Sequence, residues 1–412
     1  MPFLLLNRLF FCFALLLWTP SKGAAKPVEI KKSALEISAE YEHKPRVRVA
    51  ITRSSEAVRI SSDSPFHVFD GEGRALFQGK RLIDTAVRAS KQGVYIGSQN
   101  FTRTPVIVDV GDGKLRMGQR SYRDSLEFFQ APNGRLLVIN EVALDDYLKG
   151  VLPLEANPGW KAESLKAQAV ASRTYALFKI IQNRAESYAV SDDVASQVYG
   201  GMTHEKPTTN QAVDLTRGEI LTFDGKIFPA YFHSTCSGHT TRADFIWPVE
   251  KHPALQGGEC GFCTESQHTR WRNAWTPAEI KKALALGGHP LPDIRGVHAV
   301  DIDASGRARS FEIQYATGKI KVPSNDFRLW MGPMKFKSTR IQSIRFEGGR
   351  FVFQGRGWGH GVGMCQYGIK KMGELGYTYK QILDYYFPGA VIKKLKSQAE
   401  PPSEESAQGL QS

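Results

Sequence analysis

The chain has 412 residues, 42% hydrophobic and 23% charged, a balance that suits one large soluble domain or two ordinary ones. The formal net charge of +13 calls for an anionic partner, and charge alone leaves nucleic acid, acidic lipid and wall polymer open. Beyond the N-terminus no segment approaches the 18 apolar residues of a membrane span.

In chain order, Arg8 precedes the apolar run Leu9–Trp18, followed by Pro20 and the small residues Gly23, Ala24 and Ala25. This layout predicts a signal peptide over 1–25, with an uncleaved anchor as the alternative. Export, to the periplasm or the cell wall, argues against a nucleic-acid partner. Residues 26–45 are polar and read as a linker. In 46–119 the alternation of Val47, Val49 and Ile51 with Arg48, Ala50 and Thr52 predicts a β-rich lobe of antiparallel strands, without a catalytic motif. Residues 126–130 and 136–139, joined through Pro132-Asn133-Gly134, form a hairpin signal.

The hairpin leads into a short helix over 144–148 and a stiffened loop in which Glu155 stands between Pro153 and Pro158. A long helix over about 161–183 follows, with an alanine-rich apolar stripe and Arg173 in its middle. A charge in such a stripe must meet a carboxylate, from the protein or from a ligand. Glu155 and Arg173 therefore read either as structural ion-pair groups or as a site. A direct pair would lower the glutamate pKa, whereas a general acid needs it raised, so Arg173 is assigned to gripping substrate or to positioning.

Further on, Cys236-Ser237-Gly238-His239 and Cys260-Gly261-Phe262-Cys263 make two knuckles. Their spacing predicts a closed, structural zinc site on Cys236, His239, Cys260 and Cys263, with His233 as the alternative fourth ligand. A disulfide from Cys236 to Cys260 or Cys263 is the competing reading for an exported protein. After another β-rich stretch, Gly355–Gly363 carries glycine at every second position and is no P-loop. It reads as a loop that presents Trp358 and His360 to a sugar, or as a tight turn packed under the core. Cys365 reads as a free buried thiol. Thr378–Gln381 forms a capping-box signal for a last helix, and 393–412 reads as a disordered tail. The fold class expected is α+β: mixed or antiparallel sheets with a long helix behind the catalytic loop, plus the N-terminal lobe.

Four ordered blocks, Leu144–Glu155, Leu165–Ala176, His233–Thr240 and Gly357–Gly368, resemble the stage II sporulation protein D (SpoIID/LytB) family over roughly 120–392. The resemblance implies a lytic transglycosylase acting on peptidoglycan glycan strands stripped of stem peptides. Glu155 falls on the family's catalytic acid and Arg173 on its functional arginine. The last block adds Gln366 and Tyr367 to the candidate substrate-binding residues. Zinc near the His-Ser-Thr block is known for some members. An N-acetylmuramoyl-L-alanine amidase is an implied partner, because some relatives are amidase enhancers, and that non-catalytic wall-binding role is the alternative function. Ala156 and Cys365 depart from the Met and Ser that many relatives carry.

Overall fold

The computed structural model describes residues 30–131, 133–194 and 196–396. The signal reading at 1–25 and the tail beyond 396 lie outside them. Among the described residues no helix is long and apolar enough to cross a membrane. The protein is α+β, with several mostly antiparallel sheets and helices between them.

The alternating segment at the start folds as expected: Arg46–Ser55 is a strand with Val47 and Val49 fully buried. Its partner is the second arm of the hairpin, Leu136–Ala143, in antiparallel register from Arg46↔Ala143 onward. A seven-stranded sheet runs from Val190–Ser191 through Arg46–Ser55, Leu136–Ala143, Ser125–Gln130, Val106–Asp109 and Phe66–Asp70 to Ala75–Gly79. Four of these seven segments come from before the boundary drawn at 119/120 and three from after it. One apolar core takes Val49 and Val108 from before it and Leu148, Leu165 and Phe178 from after it. The residues before and after this boundary therefore share a sheet and a core. Sequence alternation identifies strands but not their non-local partners.

The ends differ from expectation in the same way. Residues 26–45 read as a linker, yet Leu35 and Ile227 exchange backbone hydrogen bonds at 2.8 and 2.9 Å. The tail was placed from 393, yet Lys393 and Lys394 belong to the strand Val391–Lys394, paired with Glu219–Phe223.

The long helix, Ala162–Gln182, is central rather than amphipathic. Sixteen of its residues are buried, so the buried surface extends well beyond the apolar stripe read from the sequence. On one side it meets the first core. On the other, Ala167, Val170 and Ala171 meet a second core built on Gln366–Glu374 and Tyr379–Tyr386. Small residues allow the approach: Ser164 Oγ donates to the Ile369 carbonyl at 2.8 Å, and a Cβ at Gly373 would lie 2.2 Å from that oxygen. The capping box at Thr378 and Gln381 is present. A third core, with Trp271, Phe311, Phe336 and Phe353, belongs to 271–355, where two three-stranded sheets carry the short helix Ser324–Trp330 to one wall of the site.

Candidate functional site

Glu155 is the last residue of a twelve-residue helix, Leu144–Glu155, not of a loop; Pro153 sits in its final turn and withdraws one N–H from the helix ladder just before the helix ends. Its carboxyl stands in a cleft of about 220 Å3 whose other walls include His233, Arg328, Trp358, His360 and Gln366. Glu155 Oε1 accepts the Val198 N–H at 3.0 Å. Val198 is set by its neighbour Gln197, which accepts from Tyr147 Oη at 3.2 Å and donates to the Ser172 carbonyl at 3.4 Å. Gln366 Nε2 lies 3.0 Å from the Glu155 carbonyl and 3.5 Å from Oε2. Burial raises the Glu155 pKa; the Val198 and Gln366 donors pull it back only in part. Among the described residues no cation pairs with it.

Arg173 does not reach the cleft, which corrects its assignment to substrate. It is 0% exposed, and its Nε donates to Asp145 Oδ1 at 2.7 Å. Its remaining donors go to the carbonyls of Val213 and Glu219, each at 3.1 Å, and to Thr216 Oγ1 at 3.4 Å. Of the two carboxylate sources the stripe allowed, the protein supplies it. Arg173→Ala should cost about 3–5 kcal/mol of stability, the scale for breaking a buried ion pair, with glycan affinity unchanged at temperatures where the variant is folded. Thermal unfolding and binding titrations check this, and weakened binding by folded variant protein would restore a substrate role.

The glycine loop divides its labour. Gly357, Gly359, Gly361 and Gly363 all have positive φ. A Cβ at Gly357 would lie 2.5 Å from the Thr235 carbonyl oxygen, and one at Gly363 2.2 Å from that of Tyr231. The glycines thus serve packing against the 231–236 backbone, while Trp358 and His360 line the cleft. Trp358 is held by an N–H donated to the Pro333 carbonyl at 3.1 Å and by the edge of His268 at 4.4 Å between ring centres. His360 Nδ1 accepts the Val362 N–H at 3.1 Å, and burial beside His233, Arg328 and Arg307 keeps its ring neutral. Tyr367 is not among the cleft residues; its ring packs against Trp160 and His268.

Two cleft residues carry unspent capacity. His233, 4% exposed, lies 3.1 Å through Nδ1 from the Val362 carbonyl. That contact makes Nδ1 the N–H and leaves the Nε2 lone pair without a partner. Burial lowers its pKa to about 3, so it stays neutral. Arg328, 7% exposed, bonds Asn325 Oδ1 at 3.1 Å and has no ion pair among the described residues. Sequence reasoning missed Arg328, because it comes from a β-rich stretch with no motif of its own.

Behind the cleft, Cys236, Cys260, Cys263 and Cys365 are buried with their four sulfurs within 4.8 Å of one another, and none is in a disulfide. Three of the four residues expected around a metal are in this cluster, and Cys365, rather than His239 or His233, completes it. His239 Nδ1 is engaged with the Thr240 carbonyl at 2.6 Å, and His233 faces the cleft. Cys365 reaches the cluster because Met364–Cys365 pairs with Phe232–His233 in parallel. Arg307, wholly buried, donates to the Cys236 carbonyl at 3.2 Å, while its Nε and Nη1 have no partner. A buried guanidinium beside thiols calls for thiolate charge. The donor set fits a tetrahedral soft-ligand metal such as zinc.

Comparison with known proteins supports the family resemblance, and the family model covers the first two of the four blocks. Residues 132–223 match the family model described as Stage II sporulation protein, and 255–363 match a domain of unknown function. An uncharacterised protein of Brachyspira hyodysenteriae is 30% identical over 84% of this chain and 92% of its own length. Stage II sporulation protein D of Bacillus subtilis is 29% identical over 62% of this chain and 76% of its own. The Amidase enhancer of Bacillus subtilis is 29% identical over 60% of this chain, which spans 40% of that relative.

Proposed function

Because the chain belongs to the stage II sporulation protein D family, we propose that it is an exported lytic transglycosylase that cleaves peptidoglycan glycan strands with Glu155 alone. The carrying observation is a single carboxyl, raised in pKa by burial and free of any cation, facing a cleft walled by Trp358 and His360. In this scheme Glu155 protonates the oxygen that links N-acetylmuramic acid C1 to N-acetylglucosamine, and that bond breaks through an oxocarbenium-like state. The carboxylate then takes the proton of the muramic 6-hydroxyl, whose oxygen closes onto C1. The acid is regenerated, and a 1,6-anhydro end forms without water. One glutamate suffices because the nucleophile belongs to the substrate. Trp358 offers its ring to a sugar face, and Arg328 takes the lactyl carboxylate of muramic acid.

Zinc is proposed as the occupant of the four cysteines. When bound it supplies a closed cross-link rather than a reaction centre, since four protein thiolates leave no position for substrate. An amidase acting on the same wall is the proposed partner, in line with the enhancer relative.

Mass spectrometry of products from peptide-free strands tests the reading: each new end should be lighter by one water than a hydrolytic end. Hydrolytic ends, or none, would sink it and favour a binding or amidase-enhancing role. A pH profile adds a second check. With its pKa raised, Glu155 stays protonated above the usual carboxyl range, so activity should fall with rising pH through that raised value. Gln366→Leu removes a donor to the carboxylate and should move this basic limb upward. The same raised value sets a linkage: the group's stabilising contribution is complete below the ordinary 4.5 and is lost as pH rises through the folded-state value.

A further inference from the structure

A second cavity, of about 260 Å3, lies on the far side of a layer of rings from the glutamate cleft. His360, at the cleft, packs on Trp247 at 4.9 Å and on Tyr231 at 5.9 Å between ring centres. Trp247 and Tyr231, 4.6 Å apart, line the second cavity together with Tyr175. Three lysines, Lys31, Lys32 and Lys179, complete it, and no carboxylate is among its lining residues. Lys31 is held there by backbone bonds with Pro248 at 2.9 Å and Glu250 at 3.0 Å. Lys179 projects from the central helix, and its ammonium donates to Gln182 Oε1 at 2.7 Å. Among the described residues none of the three lysines forms an ion pair, although this molecule pairs many of its surface arginines.

Lys179 is half-buried without a counter-ion among the described residues, which is costly, and together with the exposed Lys31 and Lys32 it places three cations around aromatic rings, a receptor for an anion carried on a ring-shaped body. We propose that this cavity is a second subsite that binds an anionic group of a wall saccharide, beyond the cleft and separate from Arg328. The inference rests on the glycan-cleaving reading for its substrate class. The shared chemistry is an anion on a sugar polymer, whether a muramic carboxylate or a polymer phosphate.

The test uses the full chain with Glu155→Gln, so that no turnover occurs, and calorimetric titration at low salt. The probes are a peptide-free tetrasaccharide containing muramic acid, chitotetraose as its neutral counterpart, and poly(glycerol phosphate). At least one anionic probe should bind about tenfold tighter than chitotetraose. Lys179→Gln combined with Lys31→Gln and Lys32→Gln should remove most of that margin while chitotetraose binding stays the same. Lys179→Arg should keep it. Arg328 is intact throughout, so the drop reports the lysines. A tighter muramic probe identifies the carboxylate source, and a tighter phosphate polymer the phosphate source. Equal binding of all three probes, or a margin that survives the triple substitution, overturns the proposal. Anhydro ends released by Glu155→Gln protein would instead overturn the catalytic reading and leave the anion margin measurable.

Discussion

Glu155→Gln is expected to lower kcat by about 10³- to 10⁴-fold while leaving affinity for glycan strands within about twofold. The loss is large because one group serves twice, as donor to the leaving oxygen and as acceptor from the 6-hydroxyl, and no second carboxylate lines the cleft to replace it. In free energy this is about 4–5.5 kcal/mol of barrier. The fold should not suffer: the amide fills the same space, and its oxygen can still accept the Val198 N–H that Oε1 accepts at 3.0 Å. Turnover above about a tenth of the parent rate, by protein that melts normally, would remove Glu155 from the chemistry.

Cys365→Ser is expected to empty the proposed zinc site and to lower the melting temperature sharply, whereas His239→Ala should leave both metal content and melting unchanged. A four-thiolate zinc site contributes its binding free energy to folding, apparent values being about 10–16 kcal/mol. Losing one thiolate forfeits much of that and leaves Arg307 buried with less opposing charge. The effect should spread to the cleft, because Cys365 precedes Gln366 and Cys236 follows His233 by three positions on the paired segment. Metal analysis of the purified variants decides between the two fourth ligands. Metal lost from His239→Ala but kept by Cys365→Ser would reverse the assignment, and a parent protein that carries no metal and melts identically with a chelator would dispose of the site.

What the sequence disclosed follows from the range of its signals. Glu155, Trp358, His360 and three cysteines lie in compact blocks, where spacing alone suggests chemistry. Cys365 was legible only as a lone thiol, since its partners come from a pairing of Phe232–His233 with Met364–Cys365 that no local pattern announces. Arg173 was legible as a charge needing a partner, but periodicity cannot say whether that partner is a ligand or Asp145. Arg328 was invisible because its role depends on how 271–355 docks. The strands of the front region were readable from alternation, and their partners were not, since register is set by the folded core.

The pairing of Arg46–Ser55 with Leu136–Ala143 has a thermodynamic corollary. Strands from the front of the chain and the helices that carry Glu155 bury one set of side chains, so they must melt together in a single cooperative transition. A fragment begun at residue 120 would present the bare edge of Leu136–Ala143 to its neighbours, the kind of surface that seeds aggregation. The front third of this protein is thus half of the scaffold that keeps the glutamate in place.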